Sequence, residues 1–323
     1  MSYLRPQDIR RVAVIGTGSV GARWAALFLA HGMEVVAHDP APGAEAFSRD
    51  FVAKAWPALR ELGIAKTVQA PLEHMSFVAS AGEAARAADL VQENVPEKPE
   101  LKARVLREID AAATPEKIII SSTGGIPPSA LQASCEQPQR LVVVHPFNPS
   151  HLIPLVEVVG GKRTDSSVVD WAMDFARYLG KKPIRVNVEA SGHMTNRLQF
   201  ALVREAVACL VDGIASARDI DAAVRYGLGP RWTLMGTLLT MHLAGGSGGM
   251  KGILEHAGAA LEEWWKPRSE FRLTPDVKAK LVQAAEEVSD GTAIADWICW
   301  RDENLVDVIK LQHVGEVREP RSE

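Results

Sequence analysis

The chain has 323 residues, 47% hydrophobic and 24% charged, with 36 Lys and Arg against 40 Asp and Glu for a net charge of −4. That length suits two domains with a large core, and the composition is that of a soluble protein without a nucleic-acid partner or a membrane span. Met1 to Arg11 is polar and charged, so no signal peptide is expected. Cys135, Cys209 and Cys299 are scattered and odd in number, which points to reduced thiols, a cytoplasmic location and no metal site.

The first element is a short apolar, β-branched run, Val12-Ala-Val-Ile15, which reads as a buried parallel strand. It leads into Gly16-Thr17-Gly18-Ser19-Val20-Gly21 and a helix-forming segment. In a strand–turn–helix, Gly16 permits the tight turn, Gly18 lets phosphates reach the backbone, and Gly21 lets the helix pack close to the strand. The helix start points free N–H groups and the positive end of its dipole at an anion. The pyrophosphate of a dinucleotide is therefore expected along Gly16 to Gly21, Thr17, Ser19 and Val20 included. A second strand, Glu34 to His38, ends at Asp39, 18 residues after Gly21. A carboxylate there accepts from ribose hydroxyls and repels a 2′-phosphate. Pro40-Ala-Pro42 follows with no arginine, so NAD is favoured over NADP.

A long helix is predicted over Ala44 to Leu62, then strands at Met75–Val78, Leu90–Glu93, Ile118–Ser121, Leu141–His145, Leu152–Val159 and Pro183–Val188. Helices fit between them, notably Pro99–Ala112 and Ser166–Leu179. This alternation predicts an α/β Rossmann unit with a doubly wound, mostly parallel sheet over residues 1–188. From residue 189 the pattern becomes helical: Val203–Ala215, Ala217–Tyr226 and much of 250–315. Residues 189–323 are thus expected to form an all-helical domain, for substrate and for dimerisation. Seven glycines within 227–250 predict turns between helices, and the charged tail after about Leu311 is expected to be mobile.

His145 closes a predicted strand at the carboxyl edge of the sheet, where open α/β sheets place ligands. Glu157 follows twelve residues later inside an apolar run. A lone carboxylate there is costly unless paired, and His145 is the obvious partner. A glutamate bonded to one imidazole nitrogen sets the tautomer and raises the basicity of the other, making a general base. Spacing alone fits a structural histidine and a strand-edge glutamate equally well.

On these residues the chain resembles the L-3-hydroxyacyl-CoA dehydrogenase family over about residues 11 to 250. The glycine motif, His145-Pro-Phe-Asn148-Pro, Glu157, and Gly192-His-Met-Thr-Asn196-Arg-Leu match it in order and spacing. The resemblance implies an NAD-dependent dehydrogenase. His145 would be the acid/base for a 3-hydroxyl, Glu157 would orient it, and Asn196 would hold the reacting oxygen. It further implies cofactor contacts from Glu97, Lys102 and Asn148, and a homodimer joined through the helical domain. One departure stands out. The family has a serine in the loop after the fifth strand whose hydroxyl contacts the substrate oxygen, and the family spacing places Gly124 there. Losing one such donor costs on the order of 100-fold or more in rate. Ser122 or Thr123 is expected to replace it through a shifted loop, unless Asn196 and His145 suffice.

Acyl-CoA needs basic residues for its phosphates, commonly after the second strand. Residues 43–75 offer Arg49, Lys54, Arg60, Lys66 and His74, diluted by Asp50, Glu61 and Glu73. The segments Asp39-Pro-Ala-Pro-Gly, Leu228-Gly-Pro-Arg231-Trp232 and Leu243-Ala-Gly-Gly-Ser-Gly-Gly-Met250 instead resemble the carnitine dehydrogenase branch. Asn196-Arg-Leu-Gln-Phe is similar to L-gulonate 3-dehydrogenase. The expected substrate is a small L-3-hydroxy acid: carnitine first, gulonate second, a short 3-hydroxyacyl-CoA third. The alternative of another class is a catalytically weak, crystallin-like NAD-binding protein. A carnitine site needs a cation for the carboxylate and aromatic faces for the trimethylammonium. Arg231 suits the first; Trp232, with Trp264 and Trp265, suits the second. Any one tryptophan also fits core or interface packing, and Arg231 also fits a salt bridge.

Overall fold

The computed structural model describes residues 3–266 and 271–318. The chain divides into two compact units, Met1–Leu198 and Gln199–Glu323. The strand alternation ends near 188, as expected, but the first unit keeps the next segment through Leu198.

The first unit alternates strand and helix: β1 Arg11–Ile15, α1 Ser19–Ala30, β2 Glu34–His38, α2 Ala44–Glu61, β3 Met75–Phe77, α3 Ala81–Ala87 and β4 Leu90–Glu93. Then come α4 Pro99–Ala112, β5 Ile119–Ser121, α5 Pro128–Gln132, β6 Leu141–Pro146, β7 Leu155–Gly160, α6 Ser166–Tyr178 and β8 Lys182–Val186. The eight strands form one sheet in the order β3-β2-β1-β4-β5-β6-β7-β8. All neighbours pair in parallel except β6 and β7, which run antiparallel. The order reverses between β1 and β4, the switch point at which such sheets open a crevice for ligands.

Successive side chains of a strand point to opposite faces, and each face has its own core. Val12 and Val14 pack with Trp24, Leu27 and Phe28 of α1, while Ala13 and Ile15 pack with Ala84, Ala85, Leu106 and Ile109. Burial on both faces explains why β1 reads as a continuous apolar run.

The division between the units falls within α7, Thr195–Val211. The second unit continues with α8 Ala217–Ala222, α9 Gly229–Leu234, α10 Thr237–Ala244, α11 Gly249–Trp264, α12 Pro275–Ser289 and α13 Ile294–Arg318. It contains no strand among the described residues. Two expectations need correction. The glycine-rich stretch 227–250 holds α9 and α10 rather than turns alone, because Pro230 starts one helix and the aliphatic Thr237–Ala244 run forms the other. The tail is helical from Leu311 through Arg318 as the end of α13, and residues 319–323 lie outside the described ones.

Candidate active site

The glycine turn joins β1 to α1. Gly16 has φ +83°, which a side chain resists. A Cβ on Gly21 would stand 1.9 Å from the Gly16 carbonyl oxygen, so α1 lies against the turn with no room for a methyl. A Cβ on Gly18 would meet nothing within 4 Å, which leaves the approach to the α1 N-terminus open. Asp39 stands at the end of β2. Its Oδ2 accepts from the Thr17 N–H at 2.7 Å and its Oδ1 from the Ala41 N–H at 2.9 Å. Thr17 is fully buried, whereas Ser19 is exposed. Gly16, Gly18, Ser19 and Asp39 border a cavity of about 700 Å³ that also touches Val20, Asn94, Glu97, Lys102 and Ser122. An open phosphate approach at a helix N-terminus, with a carboxylate one strand away, fits a dinucleotide without a 2′-phosphate.

Lys102 reaches the cavity wall, but its ammonium is 1% exposed and lies 2.9 Å and 3.2 Å from the two oxygens of Glu93. Glu97 Oε2 is 3.7 Å away. Glu93, which sequence reasoning missed, also accepts from the Val95 N–H and the Ser121 hydroxyl. The signal was present: like Glu157, it is a carboxylate in a buried strand, here at the strand's end. Glu97 is half-exposed. Burial pushes its carboxyl up, but the Thr123 hydroxyl, Lys102 and the N–H groups of Gly125 and Ile126 hold it below the usual carboxylate range.

His145 lies on β6 directly opposite Glu157 on β7. The imidazole Nδ1 is 2.8 Å from Glu157 Oε2. An ionised carboxylate accepts only, so Nδ1 carries a proton, and in the neutral imidazole it is Nε2 that has the lone pair. The other oxygen of Glu157 accepts from the Met194 and Thr195 N–H groups at 2.9 Å and 2.8 Å, at the start of α7. Burial pushes the fully buried Glu157 carboxyl up, but the His145 bond and these two N–H donors keep it below its ordinary value. Asn196, one residue further, donates from Nδ2 to the Gly124 carbonyl at 3.0 Å. His145, Glu157 and Asn196 therefore meet at one end of the sheet.

The Ser122 and Thr123 hydroxyls are both bonded within the first unit. Ser122 Oγ accepts from Trp24 Nε1 and Gln92 Nε2 and donates to Asn94 Oδ1 at 2.8 Å. Thr123 Oγ1 donates to Glu97 and accepts from the Ile126 N–H. Each hydroxyl has one proton, and each is committed within the first unit. His193, another residue missed from sequence, is fully buried and donates from Nε2 to the Thr123 carbonyl, its ring centre 5.4 Å from that of His145. Burial holds its pKa below the ordinary histidine value. Asn148 is exposed on the loop after β6. Lys181 anchors that loop through the Ser150 and Ile153 carbonyls at 2.7 Å and 2.9 Å, and burial pushes its pKa down to about 7.

Arg231 and Trp232 lie in the second unit on α9, both exposed. Trp264 and Trp265 end α11 at 70% and 73% exposure. Among the described residues no group of His, Cys, Asp and Glu is arranged to hold a metal ion.

Family models match the chain along most of its length. Residues 11–189 match the 3-hydroxyacyl-CoA dehydrogenase NAD binding domain, and residues 192–286 match the C-terminal domain of the same family. An L-carnitine dehydrogenase of Bacillus cereus is 43% identical over 311 residues, covering 96% of this chain and 95% of the relative. An L-carnitine dehydrogenase of Streptomyces griseus is 45% identical, covering 94% and 90%. Among solved structures, 5-formyl-3-hydroxy-2-methylpyridine 4-carboxylic acid 5-dehydrogenase, an NAD+ dependent dismutase, superposes with a TM-score of 0.81 at 31% identity. That match covers 94% of this chain and 99% of the other.

Proposed function

Because the chain belongs to the 3-hydroxyacyl-CoA dehydrogenase family and is an NAD-dependent dehydrogenase acting on a CH–OH group, we propose that it oxidises L-carnitine to 3-dehydrocarnitine. The observation that carries the chemistry is the buried Glu157–His145 pair, in which the carboxylate engages Nδ1 and leaves Nε2 to meet the substrate. Bound NAD supplies the acceptor for the hydride that leaves carbon 3. His145 Nε2 takes the hydroxyl proton, and the ionised Glu157 stabilises the imidazolium that results. Asn196 Nδ2 keeps one N–H for the substrate oxygen after its bond to Gly124. On the cofactor side, the turn from Gly16 to Gly21, Thr17, Ser19 and Val20 included, takes the pyrophosphate and Asp39 the ribose. Glu97, Lys102 and Asn148 line the nicotinamide end, with Lys102 acting through Glu93 and Glu97.

The 43% and 45% identity to L-carnitine dehydrogenases over nearly the whole chain supports the substrate. Arg231 takes the carboxylate and Trp232 faces the trimethylammonium. NADH formation is to be measured with L-carnitine, L-gulonate and 3-hydroxybutyryl-CoA, on the wild type and on Arg231→Ala. The expected result is the highest kcat/KM with L-carnitine and a raised KM for it in the variant. Preference for another substrate would overturn the carnitine assignment, and silence with all three despite NAD binding would leave a binding protein.

The protein acts as a homodimer through its helical unit, in the cytoplasm, as three free thiols suggest. Leu238, Trp264 and Ile294, at 75%, 70% and 79% exposure, are apolar surface that a second copy would cover. Light scattering is expected to return twice the 35.0 kDa chain mass; the monomer mass would refute the dimer. Cell fractionation tests the compartment, and recovery outside the cytoplasm would reject it.

A further inference from the structure

The cavity beside the glycine turn follows the carboxyl ends of the strands, from Ser122 after β5 to Asp39 after β2. Part of its lining is unused by the cofactor contacts named so far. Leu101, Arg104, Val105 and Glu108 border it. Their offsets of three, four and seven residues put them on one face of α4. At about 1.5 Å per residue, Glu108 stands roughly 10 Å beyond Leu101 along that face. Pro40 and Ala41, directly after Asp39, border the same cavity. Glu108 Oε1 accepts from the Gly82 N–H at 2.8 Å, in the first turn of α3. That helix follows β3, the edge strand next to β2, so Glu108 borders the cavity on the side away from Ser122. The bond to Gly82 fixes the carboxylate, and its Oε2 has no bonded partner among the described residues.

We infer that Glu108 reads the base of the dinucleotide: its Oε2 accepts from the exocyclic amine of adenine, so the site selects adenine over a base with an oxygen at that position. The inference rests on the reading of this cavity as the NAD site, with the pyrophosphate at the glycine turn and the ribose at Asp39. The base is attached to that ribose and stays within the cavity. Pro40 and Ala41, with the aliphatic Leu101 and Val105, give a planar ring apolar surface to lie against. Adenine presents a donor at its 6-position, whereas guanine and hypoxanthine present an oxygen. A carboxylate only accepts, so it bonds the first and repels the second.

The test is a fluorescence titration of the protein, near pH 7, with NADH and with reduced nicotinamide hypoxanthine dinucleotide. The two carry the same charge and differ in the base alone. Wild type is expected to bind NADH about tenfold or more tightly than the hypoxanthine analogue, the scale of one hydrogen bond to a charged group. In Glu108→Ala the ratio is expected to fall to within about twofold, through weaker binding of NADH. Arg104→Ala removes a neighbouring cation but no acceptor, so it is expected to shift both dinucleotides alike and keep the ratio. Equal binding of the two by wild type would overturn the inference, and so would a ratio preserved in Glu108→Ala. A change in stability from the lost bond to Gly82 does not move a ratio measured on one protein. Should Glu108→Ala fail to fold, the wild-type ratio still decides, and Glu108→Gln, which keeps the shape, is expected to narrow it. No binding of NADH by wild type would overturn the cofactor site and this inference with it. The expected ratios without turnover of L-carnitine would sink the proposed function and leave the inference standing.

Discussion

Glu157 does three things with two oxygens. Oε2 selects the imidazole tautomer of His145, and Oε1 accepts two N–H groups at the start of α7. A neutral amide keeps the shape and loses the charge that stabilises the imidazolium. Glu157→Gln is therefore expected to lower kcat by about 100-fold or more with little change in NAD affinity; steady-state kinetics check this, and an unchanged kcat would refute it. The same carboxyl titrates lower in the fold than its ordinary value near 4.5. A depressed carboxylate contributes stability above its unfolded pKa, and this is lost as pH falls through the folded value. Urea unfolding at pH 7 and at pH 4 is expected to show a larger acid loss for wild type than for Glu157→Gln. Parallel losses would show that Glu157 adds no such term. At this scale the pairing of His145 with Glu157 was readable, since a carboxylate inside an apolar run demands a partner, while the acid/base role proposed for it came from the family resemblance. The committed hydroxyls of Ser122 and Thr123 were not readable, because their partners Trp24, Gln92, Asn94 and Glu97 come from other segments.

Two elements carry the cofactor half of the site, and two carry the chemistry. In the β1–α1 turn, Gly21 and Gly18 face opposite demands: one has backbone 1.9 Å from its would-be Cβ, the other nothing within 4 Å. Gly21→Ala is expected to cost about 1–3 kcal/mol of stability by overpacking, together with NAD affinity. Gly18→Ala is expected to leave the melting temperature within about 2 °C, since 1 kcal/mol moves it by only a few degrees, while weakening NAD. Thermal melts and NAD titrations read both, and equal melting temperatures for the two variants would contradict the geometry. In the β6–β7 pair the antiparallel register puts His145 across from Glu157. A slip of one residue would send the two side chains to different partners. The strands themselves were legible from apolar runs, but the antiparallel turn of β7 was not, because strand direction depends on the length and path of the connection.

Across the whole molecule, the first unit holds the cavity beside the glycine turn and the buried His145–Glu157 pair, while the second is helical and rich in exposed apolar residues. The mass and substrate measurements belong to this scale. Leu238, Trp264 and Ile294 of the second unit are exposed apolar residues, and the mass measurement tests the proposal that a second copy covers them.

The order of amino acids by itself determined the class of fold and the nature of the cofactor, and pointed to His145 and Glu157 as a pair. Each of these rests on local chemistry: alternating strand and helix periods, a glycine turn before a helix, a carboxylate that must be paired. Only the tertiary structure showed what surrounds Gly124. Its neighbours His145 and Asn196 arrive from a strand and a helix start distant in the chain. A glycine in a loop is chemically silent until the groups that would touch its Cβ are in place. Once they are, a Cβ at Gly124 is seen to crowd His145 Nε2 at 2.7 Å.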